Sequence, residues 1–153
     1  MKTLGLAAVV VFTLCTATAG ILAAETSLGN VVKARQASLH KLGRDFKIIA
    51  DQLKADKPDM ATVQSSAQDI KALSAAMGNW FPAGSGAEAS LKTKAKPEIW
   101  TDASGFAAKL AGFRSEAAKL QQVAASGDVD ALKTQFKATG ETCRACHTDY
   151  RSR

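Results

Sequence analysis

The sequence predicts an all-α fold, an antiparallel up-down-up-down four-helix bundle forming one domain. Apolar residues recur at alternating steps of three and four over four separate segments, which is the spacing of a helix face buried in a bundle. The three prolines, at 58, 82 and 97, stand between those segments rather than inside them. No run of residues resembles a strand. A chain of 153 residues holds one such core, and it shows no internal repeat or second domain.

The chain opens on a leader. Lys2 gives a short positive start, residues 4–14 form an apolar run too short to span a membrane, and small residues follow. Residues 1–24 therefore read as a signal peptide, cleaved after Ala19 or after Ala24, with residues 25–153 as the mature bundle. Cys15 would leave with the leader, so the mature chain keeps Cys143 and Cys146 alone and has no membrane anchor. Losing Lys2 takes the formal charge from +6 to +5. The lysines are scattered and are not interleaved with aromatics, which argues against nucleic acid as a partner.

The first mature segment presents Leu28, Val32, Arg35, Leu39, Leu42, Phe46, Ile49 and Leu53, and is expected to end near Asp56-Lys57-Pro58, because a proline disfavours helix in the residue before it. The second carries Val63, Ala67, Ile70, Leu73, Met77 and Trp80 and stops at Pro82. Residues 83–98, with glycines, serines and lysines and no steady period, read as the crossover loop. A third helix starts at Thr101 or Asp102 and shows Phe106, Leu110, Phe113, Ala117, Leu120 and Ala124. Gly127 ends it and Asp128 caps the fourth, whose seam is Val129, Leu132, Phe136, Thr139, Cys143, Cys146 and Tyr150.

That last seam carries the chemistry. Cys143, Cys146 and His147 spell C-x-x-C-H, the signature of covalent c-type haem attachment. Two inward thiols three residues apart can add to the two vinyl groups along one porphyrin edge, and the adjoining imidazole can reach the iron. A thioredoxin-like dithiol would need a βαβ setting, zinc would need two further ligands, and a disulfide between such near neighbours would brace almost nothing. Export agrees with attachment outside the cytoplasm, and a periplasmic location follows as an expectation.

Arg35 interrupts the first seam where a leucine would fit. A guanidinium facing a core needs an anion or a route to water. Antiparallel packing puts Arg35 and Leu39 level with the C-x-x-C-H turn, where a haem propionate would satisfy the arginine; the alternative is a side chain that reaches out to solvent. His40, about 100° around the helix from the seam, is expected on a flank or in solvent rather than on the iron. Leu39 offers no donor atom opposite His147, so the iron is expected to be five-coordinate, with an apolar open side suited to nitric oxide and carbon monoxide.

The stretches RQASL (35–39), WFPAGSG (80–86), KPEIW (96–100) and CRACHTDYR (143–151) together resemble the cytochrome c′ family, the high-spin class of bacterial c-type cytochromes. The resemblance implies one haem c per chain, with thioethers on Cys143 and Cys146 and His147 as the axial ligand. It implies propionate contacts from Arg35 and Gln36, Leu39 as the distal lid, and Phe81 and Arg151 beside the proximal pocket. It carries Lys94 and Lys96 less directly, as part of a loop that nears the haem edge in relatives. It further implies a homodimer and a binding protein rather than an enzyme, serving nitric oxide sequestration or buffering. The competing roles are a soluble electron-transfer cytochrome docking a redox partner protein, and a haem-free helical interaction protein whose cysteines merely oxidise.

Overall fold

The computed structural model of the chain describes residues 17–87 and 92–153, with side chains from residue 27 onward. The leader expected at 1–24 falls outside the described residues as far as residue 16. The fold is helical throughout, with no strand among the described residues: α1 (Ala17–Gln52), α2 (Met60–Ala76), a 3-10 turn (Met77–Trp80), a single-turn α3 (Glu98–Thr101), α4 (Ala103–Ser126) and α5 (Val129–Tyr150). The four long helices form the expected bundle. No helix among the described residues is long and apolar enough to cross a membrane.

The helix ends follow local chemistry. Asp59 caps α2 by accepting from the N–H groups of Ala61 and Thr62 at 3.0 and 3.3 Å. Asp102 accepts from Gly105 N–H at 3.1 Å at the start of α4, and Asp128 accepts from Asp130 and Ala131 at the start of α5. Gly127 closes α4 in the left-handed conformation, φ 77°, which costs a glycine little.

Two boundaries differ from expectation. α1 stops at Gln52 rather than near Pro58, because Lys54 and Ala55 bond three residues back instead of four and tighten the chain, while Gln52 Oε1 accepts the Asp59 N–H at 2.8 Å. The second helix leaves α geometry at Ala76 and reaches Pro82 through the 3-10 turn. The third helix starts at its Asp102 cap as expected, and a single turn that the sequence did not indicate, Glu98–Thr101, precedes it.

The core is uneven along the bundle axis. At the end bearing the α1–α2 and α4–α5 connections, Ile49, Val63, Ala67, Ile70, Ala117, Leu120, Ala124 and Leu132 are wholly excluded from solvent. Phe46 and Phe136 meet there at 5.5 Å between ring centroids, closing α1 onto α5. Beyond them, toward the crossover loop and the chain's last residues, the helices enclose a cavity.

Candidate functional site

The cavity measures about 940 Å³, at the upper end of the range for small-molecule and cofactor sites. α1 contributes Arg35, Gln36, Leu39 and Phe46, α4 contributes Phe106, Leu110 and Phe113, and α5 contributes Cys143, Cys146 and His147. Phe81, Thr93, Lys94, Ile99 and Arg151 close one end. The antiparallel register read from the sequence is the one found: Leu39 and His147 line the same space from opposite helices.

Cys143, Cys146 and His147 lie in the last turns of α5, within its helical span. Cys143 and Cys146 are half-buried free thiols packed against the core. Burial, helped by the neighbouring Cys146, pushes the Cys143 thiol up to about 11, and burial raises Cys146 as well. Both are therefore neutral thiols at neutral pH, unlike the acidic cysteines of redox dithiols. Burial, with the Arg151 charge as a second cause, lowers the His147 pKa. Its imidazole is held neutral, the form that offers a lone pair to a metal.

Arg35 is 2% exposed, so the solvent-reaching alternative is overturned. Its guanidinium donates to Trp80 O at 3.3 Å, Ser85 Oγ at 3.0 Å, Ser85 O at 2.9 Å and Thr93 Oγ1 at 3.0 Å, and lies 4.7 Å over the Phe81 ring. All four acceptors are neutral. Among the described residues the cation has no carboxylate partner, and desolvation lowers its pKa. It thus ties the crossover loop to α1 and still brings an uncompensated positive charge to the cavity wall. Gln36 does similar work one position on, donating to Lys92 O at 2.7 Å.

The remaining expected residues divide. Phe81 packs edge-on against Phe106, with centroids 5.1 Å apart, and faces the cavity. Arg151 follows α5, its N–H on His147 O at 3.2 Å, and also lines the cavity. Lys94 reaches the wall, but Lys96 does not. Its backbone N–H goes to Tyr150 O at 3.1 Å and its ammonium to the carbonyls of Thr148 and Asp149 at 3.3 and 3.0 Å, so it caps the end of α5 from outside the cavity. His40 is exposed at the cavity rim, in line with the flank position expected for it.

Several contributors escaped sequence reasoning. Ser85 and Thr93, which hold Arg35, lie 50 and 58 residues from it in a stretch without periodicity. The backbone bridge between Ala95 and Arg151, with Ser152 N–H on Lys94 O at 2.9 Å, clips that loop to the end of α5 and depends on no particular side chain. Gly43 and Gly140 also line the cavity, and a methyl group added to either would meet nothing within 4 Å. Mid-helix glycine costs about 1 kcal/mol relative to alanine, so two on one cavity wall leave space that helix stability alone would have filled.

A haem fits this arrangement on the residues themselves. The walls are mostly hydrocarbon and aromatic, two thiols and a neutral imidazole share one helix face, a buried cation waits without an anion, and two glycines keep the helix surfaces flat.

Comparison with known proteins agrees. The family model described as Cytochrome C' matches residues 30–151. The cytochrome c' of Alcaligenes xylosoxydans xylosoxydans is 34% identical over 125 residues, 81% of this chain and 94% of that protein. Among solved structures, the nitric oxide complex of a leucine-to-alanine variant of cytochrome c prime from Alcaligenes xylosoxidans superposes with a TM-score of 0.74 at 31% identity, covering 82% of this chain and 97% of that one. A carbon monoxide-bound leucine-to-glycine variant from the same organism gives 0.72 at 32% identity, covering 80% and 94%. With a model matched across most of the chain and a relative above 30% identity over four fifths of it, the chain belongs to the cytochrome c′ family.

Proposed function

We propose that this chain is an exported, periplasmic c-type haem protein that binds nitric oxide and carbon monoxide and serves to sequester or buffer nitric oxide, without turning over a substrate. One haem per chain would be joined covalently through Cys143 and Cys146. When bound, the group supplies an iron that can take one small diatomic ligand. His147 would hold that iron from one side. Arg35 would meet the propionates with the charge that its neutral partners leave uncompensated, and Gln36 would keep the adjoining loop in place. Leu39 would cover the opposite side with hydrocarbon, which excludes water and gives dioxygen no hydrogen-bond donor. A homodimer belongs to the same reading, by likeness to the family.

The observation that carries the reading is the shared cavity: two neutral thiols and a neutral imidazole on α5 face a leucine on α1, with His40 exposed at the rim. Absorption spectra of the ferrous protein test it. The expected result is a high-spin spectrum, carbon monoxide binding without loss of a protein ligand, and tighter carbon monoxide binding in Leu39→Ala. A low-spin spectrum would overturn five-coordination, and unchanged affinity in Leu39→Ala would remove the lid.

A further inference from the structure

A second concavity, about 660 Å³, runs along the last turns of α5 and is lined by Lys96, Arg144, His147, Thr148, Arg151, Ser152 and Arg153. Four of these side chains are cations and none is a carboxylate. His147 belongs to this groove and to the internal cavity, so its imidazole stands between them. Three of the chain's six arginines fall in the last ten residues, all on this groove. Arginine is the cation favoured where one protein surface meets another, since its planar fork pairs with carboxylates and sheds water readily.

Some lysines elsewhere on the surface stand in close ion pairs: Lys119 with Glu116 at 2.7 Å, Lys133 with Asp130 at 3.1 Å, Lys109 with Asp149 at 3.0 Å. At the groove Arg144 has only Glu141 at 3.9 Å, and among the described residues Arg151 and Arg153 have no ion pair. The groove's backbone is already fixed by the Ala95–Arg151 bridge, the Ser152 bond to Lys94 O and the Lys96 cap on α5. A partner docking there would order little main chain, which removes one of the usual costs of association.

We propose that this groove is the docking face for an acidic partner protein. The alternative of a small anion is disfavoured because Arg144, Arg151 and Arg153 are all exposed. They converge on no single buried point, but an extended acidic surface could engage them together. The docking claim stands on the groove's charge and fixed backbone and does not depend on what the cavity holds.

The test uses the full holoprotein and a flavodoxin as the acidic probe. Binding is expected at low salt and should weaken steeply as salt rises. Reversing two charges, Arg144→Glu with Arg153→Glu, is expected to lower affinity by about tenfold or more and to flatten the salt dependence. Lys133→Glu, at the opposite end of α5, should change affinity by less than about twofold. In the unaltered protein, amide shifts on flavodoxin addition should cluster at residues 94–96 and 144–153, which keeps the test valid should the double variant fold poorly. Absence of binding, equal weakening by Lys133→Glu, or shifts centred on α1 and α2 would overturn the proposal. So would capture by phosphatidylglycerol vesicles with flavodoxin ignored, which would make the groove a membrane contact. The absorption spectrum of each variant reports separately on the cavity, so failure of one reading is distinguishable from failure of the other.

Discussion

Tyr150 is the sole tyrosine of the chain, and its hydroxyl donates to Asp102 Oδ2 at 2.7 Å. The pair couples the end of α5, one turn past the C-x-x-C-H motif, to the start of α4. A Cβ on Gly105 would lie 2.2 Å from Asp102 Oδ2 and 2.6 Å from the Tyr150 hydroxyl, so only glycine leaves room for the bond. Hydrogen bonding to Asp102, with burial second, pushes the Tyr150 pKa up to about 12, and the same bond lowers that of Asp102. The protonated phenol is favoured in the fold, so its contribution to stability is complete below the ordinary phenol pKa of about 10 and is lost as pH rises through about 12. The Asp102 contribution runs the other way: it is complete above the ordinary carboxylate range and lost as acid protonates the group. Titration of the Tyr150 Cζ carbon by NMR is expected to give a midpoint near the raised value in the native chain and one closer to that of free tyrosine in Asp102→Asn and Gly105→Ala. Unchanged midpoints in both variants would mean that burial, not the bond, sets the shift. At this scale the sequence was legible wherever a residue broke a pattern and silent where its partner lay far off. Arg35 stands out as a cation in an apolar seam, but nothing in the serine- and glycine-rich loop marks Ser85 as its acceptor. Tyr150 reads as one more core position, with no sign of the aspartate 48 residues earlier.

Helix ends were the most readable elements, because a cap is local chemistry. Asp102, Gly127 and Asp128 stand where their side chains or backbone freedom place them. α3 was not legible: four residues cannot display a period, and its hydrogen bonds back to Lys96, Pro97 and Glu98 are main-chain bonds. The clip between the loop and the end of α5 was hidden for the same reason. Among the three capping aspartates only Asp102 also accepts a bond from a distant helix, and this orders their expected effects. Asp128→Ala removes the cap of α5 alone and should cost about 1 kcal/mol. Asp102→Ala removes a cap and strands the Tyr150 hydroxyl, so its loss should be the larger. Urea unfolding of the two variants side by side checks the order, and equal midpoints would show that the α4–α5 tie adds nothing to the cap.

Across the whole molecule, stability and binding are assigned to opposite ends of the same four helices. The seam residues alone do not reveal this, since Leu110 and Leu120 occupy equivalent positions on α4 and read identically as core. The difference lies in what surrounds them: Leu120 is sealed among fully excluded neighbours, while Leu110 borders the cavity. In the sequence only the C-x-x-C-H register, with Arg35 level with it, marks one end as hollow, and Gly43 and Gly140 join it once the cavity wall is known. On the proposed attachment, a chain carrying Cys143→Ser with Cys146→Ser would have its hollow end left without its filling and its sealed end unchanged. Adding Leu120→Ala to that chain opens a new void in packed surroundings and should cost about 2–5 kcal/mol. Adding Leu110→Ala only enlarges an existing space and should cost clearly less. Hydrogen exchange should show the same division: slow amides in α2, the second half of α4 and the first half of α5, and fast ones in residues 35–46 of α1 and 140–150 of α5. Uniform protection along α1 and α5, or equal costs for the two leucines, would mean that the empty end collapses to a second packed core, and that the cavity is not built into the apoprotein but depends on its ligand.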